Sequence, residues 1–251
     1  MVHDLLVHPR KNDLVVATYG RGLWILDDLA ILEEMTPEVL GGGSHLARIR
    51  PATELHRYDR HWGSEGHRLF AAPNPPDGAI LTYYINPDIM RSEEAPRVQL
   101  DILDANDRVV RRLLPLQGDK GAGIQRLVWD LRHPLPFDTS EDESSLSRGQ
   151  GGFMRSAPRG PFVLPGNYQA RLSVGEAKNV QSVKVMGDPL IDISLEDRRL
   201  WHDTLLTLTQ MEATVRAVVS TAGEVKDRMT DVQDSLEPMS DSDLAASTHL
   251  Y

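Results

Sequence analysis

The sequence predicts a mainly β protein that ends in an α segment: a two-layered antiparallel β-sandwich, preceded by a short β hairpin unit and followed by a long amphipathic helix or helical hairpin. Three observations predict it. Val98 to Leu113 (VQLDILDANDRVVRRL) alternates apolar Val98, Leu100 and Ile102 with polar Gln99 and Asp101, then resumes a β-prone run after a polar turn. Four further short β-prone runs lie between residues 74 and 190, separated by turn signals. From Ser194 onward the apolar period changes from two residues to three and four in alternation.

Composition bounds the rest. At 251 residues and 28.0 kDa the chain has room for one large domain or two modest ones. Hydrophobic residues make up 40% and charged residues 25%, enough apolar content to bury a core. A net charge of -10 and a pI near 5.3 repel a polyanion, and no Lys/Arg-rich run offsets this, so nucleic-acid binding is disfavoured. With no cysteine, disulfides, thiolate zinc sites and cysteine nucleophiles are excluded together. No apolar run approaches the ~20 residues of a membrane-spanning helix. The opening MVHDLLVHPRKND carries charges where a signal peptide needs an apolar core, so the chain is either cytoplasmic or begins partway into a longer exported protein.

Residues 1 to 29 hold two β-prone runs, Leu14 to Thr18 and Leu23 to Leu26, joined by Tyr19-Gly20-Arg21-Gly22, with a third run at Asp4 to His8. Glycines around one arginine describe a tight hairpin. The GxG pattern is not read as a nucleotide loop, because a phosphate cradle must open a helix and here a strand follows. The run VHPRKNDLVVATYGRGLWILDD, Val7 to Asp28, resembles the last blade of the β-propellers in sortilin-type and BNR-repeat proteins, bacterial secreted proteins often labelled glycosyl hydrolases. RLFAAPNPPDGAILTYYI (Arg68 to Ile85), GIQRLVWDLRHP (Gly123 to Pro134) and GPFVLPGNYQARL (Gly160 to Leu172) are similar to the same family's later segments, so the resemblance covers roughly residues 1 to 190. It implies an incomplete closing blade, an immunoglobulin-like domain and helices, a secreted or periplasmic location, and upstream propeller blades as partners. No S-x-D-x-G-x-T-W box occurs, so the chain resembles the tail of such a protein.

Residues 30 to 73 lack steady periodicity and read as a connector, with Gly41-Gly42-Gly43 as a flexible break. Asn74-Pro75-Pro76-Asp77-Gly78 is a turn that opens the sandwich. Its strands are Ile80 to Ile85, the two arms of the central hairpin, Leu127 to Leu131, Gly166 to Val174 and Val180 to Val185. Leu127, Trp129 and Leu131, and Tyr168, Ala170, Leu172 and Val174, are expected to form the apolar layer opposite the hairpin. Short strands with turns between them favour an immunoglobulin or fibronectin type sandwich over a barrel. DANDRVVRRL, GIQRLVWDLR and LPGNYQARL are also similar to the Ig-like domain of flagellar hook-capping proteins, which makes Trp129 a core anchor. Residues 137 to 161 are poor in apolar side chains and are expected to form a mobile loop within the 74 to 190 sandwich. A grafted binding loop for a glycan or protein ligand is the functional alternative.

Residues 191 to 251 form the helical segment with a disordered tail. Ser194 with Asp197 three residues on makes a capping box, and Glu196 and Asp197 complement the helix dipole. Apolar side chains from Trp201 through Leu208, Val215, Ala222 and Met229 to Leu236 follow the 3.5-residue repeat of a coiled coil. Glu212 with Arg216 and Glu224 with Arg228 are favourably spaced pairs, and Pro238 is expected to end the helix. Gly223 marks a kink, a fray or a turn into a hairpin. The seam either packs on the chain's own domain or is left in part to a second copy, a homo-oligomer.

Catalytic sets are not found in the sequence, and no catalytic, cofactor-binding or metal-binding residue is assigned. Asp27-Asp28 and Glu33-Glu34 are adjacent, and neighbours in a strand face opposite ways, whereas glycoside hydrolysis needs two carboxyls about 5 to 10 Å apart across one bond. Arg21 sits in a hairpin tip. His56, His61 and His67 match no metal-ligand spacing, and no G-x-S-x-G elbow occurs. The chain is therefore expected to be a non-catalytic scaffold or interaction portion of a secreted propeller protein. The alternatives are part of a glycoside hydrolase whose site lies in upstream blades, or a carbohydrate- or protein-binding sandwich.

Overall fold

The computed structural model of the chain describes residues 1–56, 75–92, 95–113, 122–139 and 158–247. The protein is mainly β with a C-terminal helix, and among the described residues its strands form three sheets. Two compact units divide the chain: residues 1–134 with 161–202, and residues 135–160 with 203–251.

The first sheet is β1 (Val2–Val7), β2 (Leu14–Thr18) and β3 (Leu23–Leu26), antiparallel throughout. Its β2–β3 turn is the expected tight hairpin, with Gly20 and Gly22 at positive φ and Thr18 donating to the Gly22 carbonyl. The register aligns Leu5, Val16 and Trp24 in one row and Leu6, Val15 and Ile25 in the next. Successive rows face opposite ways, so both faces of this sheet are apolar.

Residues 30 to 56 are more ordered than a connector. They contain α1 (Ala30–Glu34), α2 (Pro37–Gly41), β4 (Ser44–Leu46) and β5 (Ala52–Thr53). The glycine run is no flexible break. Gly41 ends α2, Gly42 caps it with its N–H on the Val39 carbonyl, and Gly43 sits where a Cβ would crowd Ile89. Residues 57–74 lie outside the described residues.

Two sheets enclose the main core. One is β4, β6 (Ala79–Ile85) and β9 (Gly123–Trp129) in the order β4-β6-β9. The other contains β5, β11 (Ala177–Met186), β10 (Gly166–Val174), β7 (Val98–Leu103) and β8 (Val109–Leu113), in the order β5-β11-β10-β7-β8. The central hairpin forms as expected: Asp104 Oδ1 accepts the N–H groups of Asn106 and Arg108, and Asp107 takes φ 60°. The opposing layer follows the expectation in part: Trp129 lies in the other sheet and in the shared core, with Leu127 packed against it. The run Tyr168 to Val174 instead pairs with β7 in the same sheet, Leu172 beside Leu100, and the other sheet's share of the core comes from β6 and β9. Leu81, Tyr83, Ile85 and Trp129 from one sheet meet Leu100, Ile102, Leu172 and Val183 from the other in one buried cluster.

The fourth predicted strand also shifts: β9 ends at Trp129, and Leu131 takes φ 59° with its side chain buried. Asp130 Oδ1 accepts the Arg132 N–H there, turning the chain so that Arg132 bridges to Phe162. Between β6 and β7 lies α3 (Pro87–Met90), opened by the Asn86 side chain.

The last element is α4 (Leu195–Ser247), 53 residues long. Ser194 Oγ accepts the Asp197 N–H at 3.0 Å and donates to Asp197 Oδ2 at 2.7 Å, so the capping pair forms, with the acid returning to the hydroxyl. The helix neither breaks at Gly223 nor stops at Pro238. A glycine costs about 1 kcal/mol, less than the several hydrogen bonds a break would forfeit. The helix runs through Pro238 to Ser247 although an interior proline removes one bond and crowds the carbonyl four residues back. Glu212 and Arg216 pair at 2.9 Å, and Arg216 stacks over Phe137 at 4.5 Å. Glu224 and Arg228 do not pair.

Candidate functional site

A buried polar cluster in the first unit lies where β5 leaves its sheet and α4 begins. β5 pairs parallel with the end of β11, and the Glu54 N–H donates to the Met186 carbonyl, which turns the Glu54 side chain into the interior. Glu54 is 3% exposed. Its Oε1 lies 2.8 Å from His56 Nε2 and accepts from Arg198 Nη1 at 3.4 Å, while its Oε2 is buried with no hydrogen-bond partner. Arg198, itself buried, comes from the first turn of α4 and lies against Gly187, where a Cβ would stand 3.2 Å from the guanidinium. Asp188 completes the cluster. Its two oxygens accept the backbone N–H groups of His56 and Leu190, and these bonds hold its carboxyl below the usual range.

Aromatic rings continue from this cluster. Arg132 lies 3.5 Å over the Phe162 ring, Phe162 is 4.9 Å from His56, and His56 stacks on Trp201 at 5.5 Å and 28°. One residue further along α4, His202 Nε2 faces His133 Nε2 at 3.0 Å, so one ring donates and the other accepts. Burial, reinforced by the charge of His202, pushes the His133 pKa down to about 4. Arg198, Trp201 and His202 are three and four residues apart and so share one helix face. That face holds the first two turns of α4 to the β structure.

A further buried carboxylate serves the sheet. Asp101 on β7 accepts from Gln99 at 2.6 Å, Arg112 on β8 at 3.0 Å and Arg171 on β10 at 3.3 Å. Burial raises its pKa, and the hydrogen bonds from Gln99, Arg112 and Arg171 outweigh it, leaving the carboxyl below the usual range. The acid ties three neighbouring strands together.

The residues singled out by the sequence separate. Of the three histidines, His56 joins the Glu54 cluster, and His61 and His67 lie outside the described residues. Arg21 is exposed at the hairpin tip. Asp27 and Asp28 lie in the irregular segment after β3, not in a strand. The Asp27 carbonyl accepts from Arg126, and buried Asp28 pairs with Arg50 at 3.5 Å. Glu33 and Glu34 sit on α1 and bind Arg48 and His45, respectively. These adjacent pairs are ties between segments and do not converge on one bond. Of the predicted mobile loop, residues 140–157 lie outside the described residues.

Sequence reasoning missed Glu54, Asp188, Arg198 and the His133–His202 pair. A signal existed in part: Glu54 and His56 alternate as in an extended segment, which puts both on one face. Arg198 and His202, four apart, share a helical face. Nothing local paired the two faces, since Glu54 and Arg198 are 144 residues apart.

Chemically, the cluster supplies paired ions and stacked rings. Among the described residues no group of three or more His, Cys, Asp or Glu side chains is placed to hold a metal ion, and no helix is long and apolar enough to cross a membrane. Comparison with protein-family models, with curated proteins and with solved structures finds no match for the chain.

Proposed function

We propose that the chain is the non-catalytic, C-terminal scaffold portion of a secreted or periplasmic β-propeller protein of the sortilin or BNR-repeat type. The observation that carries this reading is the first sheet. Its rows Leu5–Val16–Trp24 and Leu6–Val15–Ile25 are apolar on both faces, and Leu5, Leu6, Trp24 and Ile25 are 58%, 60%, 64% and 66% exposed. A sheet of that composition is made to be covered on both sides, as a blade is between its neighbours. Three strands are also one fewer than a usual blade. Arg50, bridging Asp13 and Asp28, and Arg126, on the Asp27 carbonyl, would brace this closing blade against the β-sandwich.

The two core-forming sheets are read as an immunoglobulin-like sandwich. Two features support it: Trp129 is fully buried, and Tyr168 at the start of β10 lies edge-on to it at 5.4 Å while donating to the Leu164 carbonyl at 2.7 Å. A tyrosine bonded back to the chain just upstream is the corner device of such sandwiches. Burial raises the pKa of that hydroxyl to about 12, so it remains a donor at physiological pH. The Glu54–Arg198 cluster then serves to hold the first two turns of α4, residues 195 to 202, to the β structure.

Hydrogen exchange tests the blade reading. Expressed together with the in-frame upstream coding sequence, residues 2–26 should take up deuterium more slowly than in the 251-residue chain. Unchanged uptake, or an upstream frame without blade strands, overturns the reading. Turnover of an aryl glycoside by the protein expressed with its upstream blades would replace it with the hydrolase alternative, and turnover by the 251-residue chain alone would overturn both.

A further inference from the structure

The apolar seam of α4 is exposed along its length. Its large apolar members from Leu208 to Val232 range from 50% exposed at Val225 to 69% at Met229. Leu208, Val215, Ala222 and Met229 recur at intervals of seven, as do Met211, Val218, Val225 and Val232. More than three such heptads on one face describe a coiled-coil seam that is complete only with a second helix.

The residues flanking the seam decide the direction of that helix. Glu212, Val219 and Lys226 lie on one shoulder, and Thr207, Thr214, Thr221 and Arg228 on the other. In a parallel pair the two shoulders meet each other, which sets Glu212 against Thr207, Val219 against Thr214 and Lys226 against Thr221. No charge pair results, and one valine faces a hydroxyl. In an antiparallel pair each shoulder meets its own kind. Placing Leu208 opposite Val232 then sets Glu212 against Lys226 twice, once on each side of the two-fold axis. The same alignment brings Val219 onto Val219 and Thr221 onto Thr221 at the axis, Val215 onto Val225, and Met211 onto Met229. Ala222 falls opposite Val218, and Gly223 lies next to it, so the backbones can approach closely at the centre. Glu212 Oε1 already accepts the Nε–H and an Nη2–H of Arg216, which leaves Oε2 for the incoming lysine.

We propose that a second copy of the chain packs antiparallel along residues 208 to 232, giving a closed two-fold dimer in which Glu212 of each copy pairs with Lys226 of the other. This proposal does not depend on the propeller reading.

Charge exchange in the full chain tests it. By light scattering the wild-type chain should have the mass of a dimer. Glu212→Lys and Lys226→Glu should each weaken association by about tenfold or more, because each sets like charges together at both ends. An equimolar mixture of these two variants, and the double variant Glu212→Lys/Lys226→Glu, should regain the dimer, with helicity by circular dichroism unchanged throughout. Because the chain has no cysteine, Val219→Cys should oxidise to a covalent dimer and Val218→Cys should not. A monomeric wild type, failure of the mixture to restore association, or selective cross-linking of Val218→Cys would each overturn the proposal.

Discussion

At Gly78 an added Cβ would stand 2.1 Å from the Trp129 carbonyl oxygen, and φ is 120°. The glycine is therefore required twice, once by its backbone conformation and once by the close approach of β9. Gly78→Ala should cost at least about 3 kcal/mol in urea unfolding, and a wild-type midpoint would mean that β6 and β9 are not in this register. Trp129, across the same contact, fills the core, so Trp129→Ala should cost about 3 to 5 kcal/mol, and unchanged melting would place the ring outside the core. Buried charge gives a different signature. Arg198→Ala strands the Glu54 carboxylate in the interior and should cost about 3 to 5 kcal/mol, whereas Glu54→Leu combined with Arg198→Met should recover most of that loss. If the double variant is no more stable than Arg198→Ala alone, the two side chains do not act as a pair.

The anchoring of α4 carries a pH dependence of its own. His133 has a folded pKa of about 4, and an unfolded histidine titrates near 6.5. Between those values the unfolded chain binds a proton that the folded chain does not, so stability is full above about pH 6.5 and falls as the pH drops towards 4. The loss between pH 6.5 and 5 should reach up to about 2 kcal/mol. His133→Gln should flatten that slope in thermal melts taken at several pH values, and an identical slope would assign the titration to another group. Asp101 acts in a lower window. Its depressed carboxyl stabilises the β7, β8 and β10 strands above about pH 4 and loses that contribution as the pH falls below it.

For the whole molecule, the exposed seam of α4 is the feature with the largest consequence. Val218→Asp places a carboxylate in that seam and should convert a dimer to a monomer by light scattering. The melting of the β sheets should not change, because Val218 is 64% exposed in the single chain. An unchanged mass would show that association does not use this helix. The first sheet makes the complementary case, since two exposed apolar faces on three strands are stable in isolation only with cover.

What the sequence determined by itself was local. The Gly20–Gly22 hairpin, the Asp104–Asp107 turn, the Ser194 cap and the helical seam each follow from residues within one or two turns of chain, where dihedral preference and side-chain spacing act directly. The mainly β class with a C-terminal helix followed from those pieces. Tertiary structure alone decided that the Tyr168 to Val174 run joins the hairpin's own sheet, because alternation marks a buried face without naming the strand beside it. It also recruited β4 and β5, three and two residues long, which are too short to carry a period. The same holds for Glu54 and Arg198. Burial of either charge is costly until the other arrives, and no preference in the neighbouring sequence announces a partner 144 residues away.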